Sequence, residues 1–129
     1  MSYWVVPNRL MAGPYPDDQV TSAGFDTFVD LTEEGELEPY AAGRARHLRF
    51  PIADFGTPSA DQAAEILAAL DAELAAGRTV YLHCRGGVGR TGTIVGCYLA
   101  RGGRSGEEAL AIVSPETEAQ RDFVRTWAG

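Results

Sequence analysis

Residues 79–93, TVYLHCRGGVGRTGT, constrain this chain more than any other stretch. A short β-branched and aromatic run stops at His83 and Cys84. Gly86, Gly87, Gly89 and Gly92 then crowd a loop that passes into an apolar, helix-like segment. A strand, a glycine-rich turn and a helix in direct succession form an anion-binding unit. Glycines let backbone N–H groups converge on one point, and the helix start adds unpaired N–H groups and the positive end of its dipole.

Three uses of such a loop compete. A nucleotide loop needs a glycine, four residues, then Gly-Lys-Ser/Thr. Here Cys84 stands where the first glycine belongs and Arg90 where the lysine belongs, and the chain has no lysine at all. An inert turn would make Cys84 a small buried hydrophobe, its commonest role, but a turn needs one or two glycines, not four. The third use is a reaction site. A thiol facing a helix N-terminus, several N–H groups and an arginine is expected to have its pKa lowered into the range of roughly 3.5–7.5. The fork of Arg90 can grip two phosphate oxygens at once.

The remainder reads as an α/β chain. Strands are expected at Trp4–Val6 or Arg9–Ala12, Thr27–Leu31, His47–Ile52 and Thr79–His83. A helix is expected from about Asp61 to Ala76, with Ala63, Ile66, Leu67, Leu70 and Leu74 on one face, a capping box at Ser59–Gln62 and a stop at Gly77. A buried helix follows at Arg90–Arg101. Two further boxes, Ser105–Glu108 and Thr117–Gln120, start short C-terminal helices. Interleaved strands and helices imply a central, mainly parallel sheet of four to five strands flanked by helices, with ligands beyond the carboxyl ends of the strands. Residues 1–129 are expected to form one domain.

Composition narrows the partners. A net charge of −7 argues against nucleic acid or an anionic membrane surface. No apolar run is long enough to span a bilayer, and no signal segment stands out at the N-terminus, so a cytoplasmic monomer is expected. The two cysteines, 13 positions apart, fit neither a metal-ligand spacing nor a disulfide framework, and no metal or cofactor is implied. Cys97 falls about two turns into the apolar helix, where packing is its expected role.

The stretch HCRGGVGRTG resembles the signature of the cysteine-dependent protein tyrosine and dual-specificity phosphatases: His-Cys, five residues, Arg, then Ser or Thr. RLMAGPYP, FVDLTEE and SPETEAQRDFV are similar to other segments of small, dual-specificity-like members. The resemblance implies that Cys84 attacks phosphorus and carries a phosphocysteine. Arg85, Gly86, Gly87, Val88, Gly89 and Arg90 would wrap the phosphate, Arg90 would hold its oxygens, Thr91 would assist the sulfur as it leaves, and His83 would support the loop.

The family's acid is an Asp on a loop roughly thirty residues before the cysteine. Asp54, in FPIADFGTPS, lies thirty positions before Cys84, and one carboxyl there can serve as acid and then as base. Asp30 ends a strand and either bonds the catalytic loop or starts a turn. Gln120 matches a position that orients water in some relatives, but it also completes a capping box, and the cap is the favoured role. The implied activity is hydrolysis of phosphotyrosine in proteins, with phosphoserine and phosphothreonine as further substrates. A phosphorylated small metabolite as substrate, or phosphoresidue binding without turnover, are the alternatives.

Overall fold

The computed structural model describes residues 1–127. Its elements run β1 (Tyr3–Val6), β2 (Leu10–Gly13), α1 (Asp18–Thr21), β3 (Thr27–Asp30), β4 (Arg46–Arg49), α2 (Ala60–Ala75), β5 (Val80–His83), α3 (Gly89–Arg101), α4 (Gly106–Ile112) and α5 (Glu118–Arg125). Five strands form one sheet in the order β1-β2-β5-β3-β4. Only the β1–β2 pair is antiparallel. The two N-terminal stretches that the sequence offers as alternatives are both strands, closed into a hairpin by Asn8 at φ 62. The expected strand at His47–Ile52 is shifted to Arg46–Arg49, because Phe50 and Ile52 instead donate their N–H groups to Asp30 and Leu31 carbonyls as the chain leaves the sheet.

Register lines up the strand ends. Gly13 and Asp30 both pair with His83, and Asp30 pairs with Arg49. These four residues form a row at the carboxyl edge, where parallel sheets bind ligands. Alternation along each strand separates two faces. Val29, Val80 and Leu82 point into an aliphatic core with Ile66, Leu67 and Leu70 of α2 and Ile94, Val95 and Cys97 of α3. Phe28, Tyr81 and His83 project to the other side and meet Phe25, Tyr15 and Tyr40 edge to face or tilted, except that Tyr81 and His83 stack. The same alternation turns Cys84 back toward the aliphatic side.

Capping follows the sequence with one change. The boxes at Ser105–Glu108 and Thr117–Gln120 are both closed reciprocally. At α2, Ser59 accepts Gln62 N–H, but the Gln62 side chain donates to Pro51 O at 2.7 Å instead of reaching back. That bond fastens the start of α2 to the loop that carries Asp54. Gly77 ends the helix in the left-handed region, at φ 80. Among the described residues, no helix is long and apolar enough to cross a membrane.

Candidate active site

The loop between β5 and α3 closes on the thiol of Cys84. This side chain is 3% exposed, and its Sγ accepts the Gly87 N–H at 3.3 Å. Gly87 has no substitute here: it stands at φ 78, and a Cβ would meet Gly13 C and Pro14 N at 2.5 Å. The β2 exit therefore lies directly against the outside of the loop, and Tyr15 N–H donates to Arg85 O at 3.0 Å. Gly89, Arg90 and Thr91 form the buried first turn of α3, with no side-chain cap at its N-terminus. An uncapped helix start leaves its N–H groups available to an anion.

His83 braces the loop from behind. Burial pushes its pKa down to about 4, so it is neutral at pH 7. Its Nδ1 lies 3.3 Å from Cys84 O, a carbonyl that can only accept, so Nδ1 carries the proton. Nε2 is then an acceptor, matched by the Tyr40 hydroxyl at 2.7 Å. Burial raises the Tyr40 pKa, which keeps that hydroxyl a donor. A neutral His83 has no ion pair with Asp30 despite the 3.9 Å approach.

Asp30 is fully buried and its carboxylate does not bond the catalytic loop. Oδ1 accepts from Thr32 N and Oγ1 at 2.9 and 2.6 Å. Oδ2 accepts from His47 Nε2 and Arg49 Nη2 at 2.8 and 3.1 Å. Of the two roles offered by the sequence, the turn after β3 is the one seen. Thr91 is completely buried, and its Oγ1 has no hydrogen-bond partner among the described residues. The bond that sulfur receives comes from Gly87, while Thr91 keeps a hydroxyl without a partner on the adjoining turn.

Arg90 is 1% exposed and saturated on one side. Nη1 donates to Glu36 Oε1 at 2.8 Å and to Ile52 O at 2.9 Å, and Nη2 donates to Glu36 Oε2 at 2.7 Å. Glu36 also takes Arg85 Nε at 3.4 Å. These bonds, that of Arg90 first, bring its pKa down to about 2, against burial. Glu36 is absent from the sequence-based set of site residues, yet it grips Arg90 through both carboxylate oxygens. Asp54 arrives from the other side, with Oδ1 3.2 Å from Arg90 Nη2 and Oδ2 3.7 Å from Arg85 Nε. No other carboxylate besides Glu36 comes so close to Arg90 among the described residues.

A loop of inward N–H groups, a thiol at its base, a fixed guanidinium and a half-exposed carboxyl group can bind a phosphoryl dianion and exchange its ester oxygen for sulfur. Two arginines and two carboxylates make this site nearly neutral. Asp54 is the carboxyl group placed where a leaving-group acid would stand. Cys97, in contrast, is fully buried in α3, and burial pushes its thiol up to about 12. Both cysteines are free. Gln120, also buried, closes the α5 cap as the sequence favours.

Known proteins share this family and this fold. Residues 1–126 match the family described as PTP-SAK, Swiss Army Knife protein, DSP-PTPase phosphatase domain. Protein 067L of Invertebrate iridescent virus 3, named as a tyrosine phosphatase, is 37% identical over 74% of this chain and 44% of its own length. Protein 197R of Invertebrate iridescent virus 6, named likewise, is 29% identical over 90% of this chain and 49% of its own. The chain thus spans about half the length of these viral relatives. The crystal structure of Tk-PTP in its active form superposes with a TM-score of 0.84 at 29% identity, covering 96% of this chain and 93% of that one. P. aeruginosa TpbA shares the fold at a TM-score of 0.75 and 19% identity, covering 92% of this chain and 80% of that one. The chain belongs to the protein tyrosine and dual-specificity phosphatase superfamily, in its DSP-PTPase branch.

Proposed function

We propose that this chain hydrolyses phosphate monoesters of protein tyrosine, and more slowly of serine and threonine, through a phosphocysteine on Cys84. The observation that carries the reading is the convergence of Cys84 and Asp54 on Arg90: Asp54 Oδ1 lies 3.2 Å from Arg90 Nη2, and Cys84 is near enough to act on the guanidinium's charge. The substrate phosphoryl group takes the loop N–H groups of residues 85–90 together with the Nε and Nη2 protons of Arg90 that face away from Glu36. In doing so it displaces Asp54 from Arg90.

The Cys84 thiolate then attacks phosphorus, the ester P–O bond breaks, and Asp54 hands its proton to the departing oxygen. In the second step Asp54 takes a proton from water, the P–S bond breaks and inorganic phosphate forms. The hydroxyl of Thr91 supports the sulfur as it leaves by rotating onto it. His83 keeps the Cys84 carbonyl, and so the loop, in register.

An aromatic substrate suits the surface beside Asp54 and the loop. Phe55, next to Asp54, is 59% exposed, and Val88 of the loop is 51% exposed. The same reading takes residues 1–129 as one catalytic domain that acts as a cytoplasmic monomer without cofactor, in keeping with its single sheet and its two free thiols. The test is turnover of matched phosphotyrosine and phosphoserine peptides, and of small sugar phosphates, with chelator present. Faster release from the phosphotyrosine peptide is expected. Preference for the sugar phosphates, or activity that requires added metal, would replace this proposal.

A further inference from the structure

The carboxamide of Gln120 joins three segments that the chemistry uses. It is completely buried. Its Oε1 accepts the backbone N–H groups of Glu116 and Thr117, both at 3.0 Å, which closes the start of α5. Its Nε2 donates to Gly56 O at 3.0 Å. It also lies flat on Gly89 of the phosphate loop, where a Cβ would come within 3.1 Å of both Nε2 and Oε1. One amide thus spans α5, the start of α3 and the loop before α2.

Gly56 closes the turn that carries Asp54. Its N–H donates to Ala53 O at 2.8 Å, with Asp54 and Phe55 at the corner. Phe55 is held at φ 63, a strained conformation for a non-glycine residue, and its N–H donates to Asp54 Oδ1 at 3.1 Å. Asp54 and Phe55 are exposed, so packing does little to hold the corner. Hydrogen bonds hold it instead. Arg90 grips Ile52 O at one end at 2.9 Å, and Gln120 grips Gly56 O at the other. A turn fixed at both ends presents its carboxyl group in one place, whereas a turn fixed at one end pivots.

We infer that Gln120 is a positioning residue for Asp54, a latch on the acid turn, and does not orient the hydrolytic water. Orienting water for attack requires an acceptor, and the only acceptor of this side chain already takes two backbone N–H groups. The inference rests on Asp54 being the acid, and the experiment separates the two ideas.

Gln120→Glu at neutral pH keeps an oxygen for Glu116 and Thr117, since glutamate closes a capping box as well as glutamine. It also replaces the donor with an oxygen that faces the Gly56 carbonyl. The readout is kcat/KM, which covers every step up to leaving-group departure, across aryl phosphates of graded leaving ability. We expect a loss of about 10–100-fold on phenyl phosphate, little loss on a dinitrophenyl ester, and no further loss in an Asp54→Ala background. Unchanged kcat/KM on every ester, with kcat reduced and phosphoenzyme accumulating, would overturn the latch in favour of water orientation. A uniform loss that adds to that of Asp54→Ala would overturn it in favour of a merely structural role. Wild-type kcat/KM in Asp54→Ala alone would remove the acid assignment, a separate result. If Gln120→Glu does not fold, amide exchange on the wild-type protein decides. The Gln120 Nε2 protons should exchange far more slowly than those of exposed Gln19, and equal rates would overturn the latch.

Discussion

Glu36 and Arg90 meet end to end, Oε1 to Nη1 at 2.8 Å and Oε2 to Nη2 at 2.7 Å, although they stand 54 positions apart in the chain. A bidentate pair of this kind fixes the plane of the guanidinium as well as its position. Arg90 is therefore preorganised before phosphate arrives, with Nη2 also within 3.2 Å of Asp54 Oδ1.

Glu36→Gln keeps the shape and removes the charge. It should lower kcat/KM on an aryl phosphate by about 10–100-fold, the effect of a misplaced catalytic group, and weaken competition by inorganic phosphate. It should also lower the unfolding midpoint, because one partner of a buried pair is left uncompensated. Steady-state kinetics and thermal melts on the same preparation check both. Wild-type values in both would mean that Arg90 needs no such anchor.

Acid should destabilise the fold in two stages. The unfolded chain protonates His83 near 6.5, while burial keeps the folded residue neutral down to about 4. Stability is therefore complete above 6.5 and falls as pH drops toward 4, by at most a few kcal/mol. Glu36 acts lower. Arg90 holds it ionised to about 2 against an ordinary 4.5, so its contribution is lost as pH falls through that window. Urea midpoints between pH 7 and 3 should show both stages, and His83→Asn should abolish the upper one. A wild-type profile flat from pH 7 to 4 would contradict the assignment of a buried, neutral His83.

The two thiols should differ sharply in reactivity. Iodoacetate at neutral pH should modify Cys84 alone, and inorganic phosphate should protect it. Cys97 is sealed in the core with its thiol pushed up to about 12. Peptide mass mapping identifies the modified site. Modification of Cys97 first, or of Cys84 regardless of phosphate, would contradict the arrangement described.

Asp54→Ala should cost about 10²–10⁴-fold on phenyl phosphate, the usual contribution of a general acid, and much less on activated esters. The same variant takes one carboxylate partner away from Arg90 Nη2 and Arg85 Nε, leaving each with Glu36, so inorganic phosphate should bind at least as tightly as to the wild type. Near-normal turnover of poor leaving groups would move the acid role elsewhere.

The sequence puts Cys84, Arg90 and Asp54 forward as candidates because their relations are local or set by spacing. Seven residues at the β5–α3 junction, and one loop ahead of a capped helix, carry them. The same locality explains the helices, whose caps and stops lie within a few positions of one another. Glu36 is hidden for the opposite reason. It sits in an acid-rich turn with Glu33, Glu34 and Glu38, and nothing local says which of the four reaches Arg90. The partners of Asp30 are likewise set by strand pairing, since His47 and Arg49 come from the neighbouring strand β4. The reach of Gln120 to Gly56 across the cleft requires the packed fold.

Covalent catalysis by Cys84 is tested most directly by trapping the intermediate. Wild-type enzyme turning over an aryl phosphate should be quenched in acid and its intact mass measured, with the modified peptide then mapped. One added phosphoryl group on Cys84, absent in Cys84→Ser together with all turnover, is the predicted result. Undiminished turnover by Cys84→Ser with no phosphorylated peptide would contradict it.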